Sequence, residues 1–246
     1  MELADAPRVT LLDGFTLQLD RREPNSAVGD LPHGVQRLVA HVTLLGRPAR
    51  TAVAGQLWPE VPEEHAHASL RSALWRLHKA APGLVEASRG RLALAAGVRV
   101  DVRELSDWAH RVLDPCTQAD DVQVPDTGLR GELLPGWYED WILLERERLR
   151  QLRLHTLDVL ADKLTQAGRH GEAMEAAYAA ICAEPLRESA HRLVVRVHLA
   201  ERNLAEALRA YDLFSAMLEE ELGVPPTRQM TELVQGIPRP RRASGG

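Results

Sequence analysis

Apolar positions along this chain change period twice. At 9–12 and 15–19 they fall in short, partly alternating groups around Asp13-Gly14, the pattern of a small β-hairpin. After an interval rich in Pro, Asn and Gly, Val35, Leu38, Val39, Val42 and Leu45 recur at helical spacing until Gly46, which predicts a first helix. Thr51 is placed to cap a second, short helix carrying Val53, Ala54 and Leu57. That helix must end near Trp58-Pro59, because proline cannot continue the hydrogen-bond ladder. Past Pro62, Glu63 and Glu64 suit the positive end of a third helix, whose positions Leu70, Ala73, Leu74 and Leu77 form one apolar stripe until Pro82-Gly83.

Residues 84–87 and 92–94 return to a strand-like pattern around Ser88-Arg89-Gly90-Arg91, a turn with one glycine and two cations. Strands, three helices and a basic terminal hairpin, in that order, predict a winged helix-turn-helix over residues 1–100. In such a domain the third helix enters the major groove and the hairpin touches the backbone or minor groove.

From Val102 onward the periodicity is helical almost throughout, with breaks at Asp114-Pro115, at 125–128 and at Pro135-Gly136. One long helical pattern covers 137–167, with Gly168 as its stop. An internal repeat follows: Gly171-Glu172-Ala173 overlays Ala205-Glu206-Ala207, and Ala176-Ala177 overlays Ala210-Tyr211, at a shift of 34 residues. That is the tetratricopeptide period, and small residues such as Ala173 and Ala207 permit its close helix approach. The expected fold class is therefore mainly α with small β: the winged helix, then an all-α tetratricopeptide-like domain over 101–236. A tail at 237–246, rich in Pro, Arg, Ser and Gly, is expected to be disordered.

Composition narrows the function. Apolar residues make up 45% of the 246 and charged residues 26%, enough core-forming material for two domains. No signal peptide and no membrane span is expected, so the chain is placed in the cytoplasm, in association with the nucleoid. Cys116 and Cys182 are too few for a disulfide framework and lack zinc-site spacing; both read as reduced thiols. The net charge of −5 speaks against a general nucleic-acid coat. Its distribution matters more, since residues 1–100 hold 12 basic against 10 acidic side chains, and the remainder 18 against 25. The amino-terminal part is the half permissive for DNA.

With its apolar stripe turned to the core, the third helix leaves Arg71, Ser72, Trp75, Arg76, His78 and Lys79 on an acid-free face. Arginine can take guanine in bidentate geometry, serine can bond base or phosphate, and lysine serves mainly as a phosphate contact. The candidate DNA-binding residues are Ser69, Arg71, Ser72, Trp75, Arg76 and Lys79, with Arg89 and Arg91 from the wing. Each has a plainer reading: a solvated helix face, an indole completing the core or a subunit contact, and a polar turn between strands. His65-Ala66-His67 has no companion ligands, so no metal is expected. No Walker-type loop, Gly-x-Ser-x-Gly elbow or His-Glu-x-x-His pair is present. Neither a cofactor nor an enzymatic activity is expected.

The stretches Ala68-Ser69-Leu70-Arg71-Ser72-Ala73-Leu74-Trp75-Arg76-Leu77 and Gly131-Glu132-Leu133-Leu134-Pro135-Gly136-Trp137-Tyr138-Glu139-Asp140-Trp141 carry a family resemblance. Glu145-Arg146-Glu147-Arg148-Leu149-Arg150, the Glu-Pro-Leu-Arg-Glu run at 184–188, residues 207–211 and Glu221-Leu222-Gly223-Val224-Pro225-Pro226 extend it over nearly the whole chain. The chain resembles the SARP-type regulators, which join a response-regulator-like winged helix to a bacterial transcriptional activator domain. The resemblance implies binding to direct repeats near promoters, dimerisation involving the helical domain, and recruitment of RNA polymerase, with antibiotic-biosynthesis genes as the expected targets. It also implies a polymerase-facing loop before the third helix, here with Trp58, Glu60, Glu63 and Glu64 as candidates. The plainer reading of that loop is a helix connection with capping acids. No counterpart of the nucleotide-binding ATPase module of the family's large members is expected within these 246 residues. Two other functions compete: a protein-interaction scaffold built on the repeats, and a sensor holding a small-molecule effector near Trp137, Tyr138 and Trp141, whose plainer role is packing.

Overall fold

A computed structural model describes residues 6–19, 31–122 and 131–238. The expected break at 125–128 and the tail arginines Arg239, Arg241 and Arg242 lie outside the described residues. By its internal contacts the chain divides into two compact units, Met1–Asp107 with Gly131–Leu149, and Trp108–Arg130 with Arg150–Gly246. The division is not linear in sequence, because residues 131–149 fold into the amino-terminal unit.

In the first unit, β1 (Arg8–Thr10) pairs antiparallel with β2 (Thr16–Gln18), matching Val9 with Leu17. Asp13 takes a left-handed φ of 60° at the turn between them. Helices α1 (His33–Leu45), α2 (Arg50–Leu57) and α3 (Glu63–Ala80) follow, then the hairpin of β3 (Val85–Ser88) and β4 (Arg91–Leu94). The core is the side expected from periodicity: Val35, Leu38, Val39 and Val42 of α1, Val53 and Leu57 of α2, and Leu70, Ala73 and Leu77 of α3 are all buried. Leu74 is only half-buried. Thr51 does not cap α2: that helix begins at Arg50, and the Arg50 N–H is satisfied by the carbonyl of Gly90 at 2.8 Å.

A short strand β5 (Arg99–Val100), for which the sequence shows no periodic signal, runs parallel to β1 and completes a three-stranded sheet in the order β2-β1-β5. It leads directly into α4 (Asp101–Leu113). Buried Asp101 ties the two together: its carboxylate accepts the N–H groups of Leu11 at 2.9 Å, Leu12 at 2.8 Å and Val102 at 2.7 Å. Burial pushes this carboxyl above the usual range, against the opposing pull of those three donors and of Arg8.

The family motif at 131–141 lies against this same edge. Leu133 bridges Leu12, the Asp13 N–H donates to the Glu132 carbonyl at 2.8 Å, and the Leu134 N–H donates to the Leu11 carbonyl at 2.9 Å. A Cβ on Gly131 would stand 2.9 Å from the Cβ of Leu12, so only glycine admits this approach. Arg146 then fastens the segment, donating to the carbonyls of Leu133, Leu134 and Trp137 at 2.9–3.1 Å. Trp137 meets His33 edge-on at 4.8 Å, Trp141 meets His41 edge-on at 5.0 Å, and Arg37 pairs with Glu139 at 2.7 Å.

His41 is buried, with its Nε2 2.6 Å from the Oε1 of Gln56. Since that oxygen can only accept, Nε2 carries the proton, and Nδ1 is buried with no hydrogen-bond partner among the described residues. Desolvation, which outweighs the Gln56 bond, holds its pKa below the ordinary value.

In the second unit, α5 (Asp140–Gln166), whose first ten residues belong to the amino-terminal unit, ends before Gly168 in a left-handed conformation at φ 76°. Helices α6 (His170–Ala183), α7 (Glu188–Ala200), α8 (Leu204–Leu222) and α9 (Arg228–Val234) follow, each packed on the next. α6 and α8 start at His170 and Leu204, the interval expected from the repeat. Ala173, Ala177 and Ala207 are fully buried. Val195, Tyr211, Phe214, Leu218 and Met230 form a shared core, with His191 stacked on Phe214 at 4.1 Å. Arg187 and Ser189 both donate to Asp158, from 2.8 Å, joining α7 to α5.

Asp101→Ala removes the acceptor of three buried N–H groups, those of Leu11, Leu12 and Val102, and should lower unfolding stability by about 3 kcal/mol, with Asp101→Asn costing less because an acceptor oxygen remains. Urea titration of the two variants measures this. Acidification acts through His41 and also through His191, whose pKa burial lowers in the same way: the unfolded chain takes up these protons below about pH 6.5 while the folded chain resists them, so stability should fall as pH drops through that value. The fall should be shallower in His41→Gln, as followed by thermal unfolding between about pH 7.5 and 5.5.

Candidate nucleic-acid interface

α3 is an 18-residue helix with Glu63 and Glu64 in its first turn and His78 and Lys79 in its last, so its charges complement its dipole at both ends. Pro62 opens it, and the Pro62 carbonyl accepts the Ala66 N–H at 3.0 Å. Because Ala66, Leu70, Ala73 and Leu77 are buried on one side, Arg71, Ser72, Trp75, Arg76, His78 and Lys79 all stand toward the other. Trp75 is 65% exposed, and the Lys79 ammonium sits 5.6 Å from its ring centroid, one turn along. Among the described residues no ion pair engages Arg71, Arg76 or Lys79. Trp75 therefore does not complete the core, which removes one of the plainer roles open to it.

The face has two sides. Ser69, Ser72 and Arg76 line a hollow of about 370 Å³ that Trp58 and the start of α1, at Pro32 and Gly34, also border. Ser72 is partly occupied locally, its hydroxyl donating to the Ala68 carbonyl at 3.1 Å. Arg71 and Trp75 follow the neighbouring line of the helix. Of the loop candidates, Trp58 is half-buried in the hollow, while Glu60, Glu63 and Glu64 are exposed. Glu63 contacts His67 one turn on, at 3.5 Å.

The wing is a two-residue hairpin with Ser88 paired to Arg91. Its central residues Arg89 and Gly90 have φ of 50° and 73°, the doubly left-handed turn that matches strand twist and for which Gly90 is needed. Arg89 and Arg91 are exposed at its end. Sequence reading missed Arg47, in the α1–α2 connection, and Arg50, the first residue of α2. They are brought to the wing by main-chain pairing, with Ala49 bridged to Arg91, and by the Arg91 side chain, which donates to the Arg47 carbonyl. No periodicity reports such a pairing.

The remaining aromatic candidates separate cleanly. Trp137 and Trp141 pack against His33 and His41, whereas Tyr138 is 77% exposed. Among the described residues no group of three His, Cys, Asp or Glu side chains is disposed to hold a metal ion. No described helix is long and apolar enough to cross a membrane.

A three-helix unit with a basic hairpin, joined to helical repeats, defines a winged-helix regulator architecture. Residues 122–238 match the family model of the bacterial transcriptional activator domain. The regulatory protein AfsR of Streptomyces coelicolor is 32% identical over 207 residues, and that of Streptomyces griseus 35% over 212, covering 79% and 80% of this chain. The chain spans only 21% of the length of either relative. Among solved structures, EmbR of Mycobacterium tuberculosis, in complex with a low-affinity phosphopeptide, shares the fold. It superposes with a TM-score of 0.72 at 17% identity, covering 93% of this chain and 64% of that one. The chain belongs to the SARP-type transcriptional regulators, with a bacterial transcriptional activator domain.

Burial sets opposite expectations for two tryptophans. Trp75→Ala should leave stability within about 0.5 kcal/mol of wild type, since it removes an exposed ring. Trp141→Ala, which empties a site only 8% exposed, should cost about 3 kcal/mol or more. Paired denaturant titrations check both.

Proposed function

We propose that the chain is a sequence-specific, DNA-binding transcription activator that binds direct repeats at promoters as a homodimer. The observation that carries this reading is the exposed, acid-free face of α3, where Arg71, Ser72, Trp75, Arg76 and Lys79 stand together. Arg71 and Arg76 read base edges; Ser69, Ser72 and Lys79 contact phosphate or base; Trp75 lies against sugar or a thymine methyl. Arg89 and Arg91 meet the backbone or minor groove from the wing. An amino-terminal half with little excess charge makes dimerisation the source of much of the affinity.

The loop at 58–64 recruits RNA polymerase through Trp58, Glu60, Glu63 and Glu64. Its support is that the three carboxylates are exposed and gathered at the amino-terminal end of α3, where they suit a basic protein surface and not a polyanion. The protein works in the cytoplasm at the nucleoid, without catalysis or cofactor. The family resemblance points to secondary-metabolite genes as targets.

Selection of duplexes from genomic DNA by purified protein should enrich a repeated motif. Arg71→Glu/Arg76→Glu should weaken binding to that motif by about 100-fold or more, while circular dichroism and thermal unfolding stay unchanged. Absence of enrichment by folded wild-type protein would favour the repeat-domain scaffold instead.

A further inference from the structure

The wing is not a free hairpin, because β4 and the turn before it are stitched to the segment that joins α1 to α2. The Arg50 N–H donates to the Gly90 carbonyl at 2.8 Å and the Leu92 N–H to the Pro48 carbonyl at 3.0 Å. Arg91 adds a side-chain stitch, its Nη1 donating to the Arg47 carbonyl at 2.9 Å. Residues 47–50 and 89–92 therefore lie side by side, and four arginines gather at one edge: Arg47, Arg50, Arg89 and Arg91. Arg47, Arg89 and Arg91 are exposed and Arg50 is half-exposed. Neither segment contains an acid, and no ion pair joins any of the four among the described residues. Like charges gathered without counter-charge repel one another, and a neighbouring polyanion relieves that repulsion while releasing its own counterions.

We infer that Arg47, Arg50 and Arg89 form a phosphate-binding ledge for duplex DNA beside the groove entered by α3, with Arg91 as its positioning residue. The inference rests on the DNA-binding reading above and extends it to two residues outside the recognition helix and the hairpin. The ledge grips backbone rather than bases: its arginines stand on the α1–α2 connection, on the first residue of α2 and on the wing turn, where the main chain is already paired between the two segments. Arg91 has one guanidinium nitrogen engaged at the Arg47 carbonyl, so it holds the turn in place while its remaining donors face DNA from the wing.

The test uses the full chain, with Arg47→Gln/Arg50→Gln compared against wild type on the selected motif and on a shuffled duplex of equal length. Both affinities should fall by a similar factor, about 10-fold or more, leaving the preference for the motif unchanged. The slope of log K against log salt should shrink by roughly two, one for each phosphate that the variant no longer neutralises. Arg91→Gln should show a smaller drop in affinity together with greater protease sensitivity near the α1–α2 connection. An unchanged salt slope in Arg47→Gln/Arg50→Gln, on a duplex that wild type binds, overturns the ledge and leaves the role of α3 standing. Weakening confined to the motif, with the shuffled duplex unaffected, also overturns it by making these arginines base readers. Failure of wild type to bind any duplex overturns both.

Discussion

Every buried backbone N–H and C=O must find a partner, and in the amino-terminal unit the local elements are too short to supply them. β1 and β2 have three residues each and β5 has two. The main chain at 11–13 is satisfied instead by Asp101 and by residues 132–134, and the main chain at 48–50 by Gly90 and Leu92. Two long-range seams follow from that constraint. One joins the start of the chain to a segment some 120 residues later. The other fixes the wing to the helix pair beneath it. The orientation of α3 depends on its packing against α1 and α2 and on what those helices are tied to, so the seams, and not α3 alone, set how its exposed face is presented.

The family motif takes on a physical meaning at the first seam. Gly131 is required because Leu12 stands where its side chain would go, and Leu133 and Leu134 are buried. Gly136 turns the chain at φ 81°. Trp137, Glu139 and Trp141 meet His33, Arg37 and His41, three residues of α1 at positions spaced four apart. This spacing presents one face of α1 to the segment. The family domain as matched begins at residue 122, while residues 131–149 belong to the amino-terminal unit. Sequence family and compact unit are therefore not coextensive, and a substitution at Trp141 or Arg146 acts first on the winged-helix unit.

Periodicity made α1, α3 and the long α5 legible, since each buries a stripe at regular spacing, and the 34-residue shift placed α6 and α8. Asp13-Gly14 and Arg89-Gly90 marked both hairpin turns, because left-handed residues leave a chemical signature. What stayed hidden shares one cause: it depends on partners distant in sequence. β5 is two residues long and gains its identity only from pairing with β1. Thr51 carries a good capping side chain, but the helix starts at Arg50 because a wing carbonyl satisfies the first N–H. Arg47 and Arg50 look like ordinary loop arginines until β4 is laid beside them. The candidate face of α3 was readable for the opposite reason, being set by a single helix and its own buried stripe.

The charge distribution has to be judged at the same local scale. Over 1–100 the basic excess is two, and over the whole chain the net charge is −5, figures that describe no strong attraction to a polyanion. Screening, however, confines each charge to a reach of about 8–10 Å at physiological ionic strength. For the DNA reading proposed above, the charges that count first are therefore the cations on α3 and the wing themselves. The acids that do belong to α3, Glu63 and Glu64, sit at its amino-terminal end, where they stabilise the helix dipole. A weakly charged domain can present a strongly charged face in this way, provided that its arginines are held by main-chain pairing rather than neutralised by carboxylates.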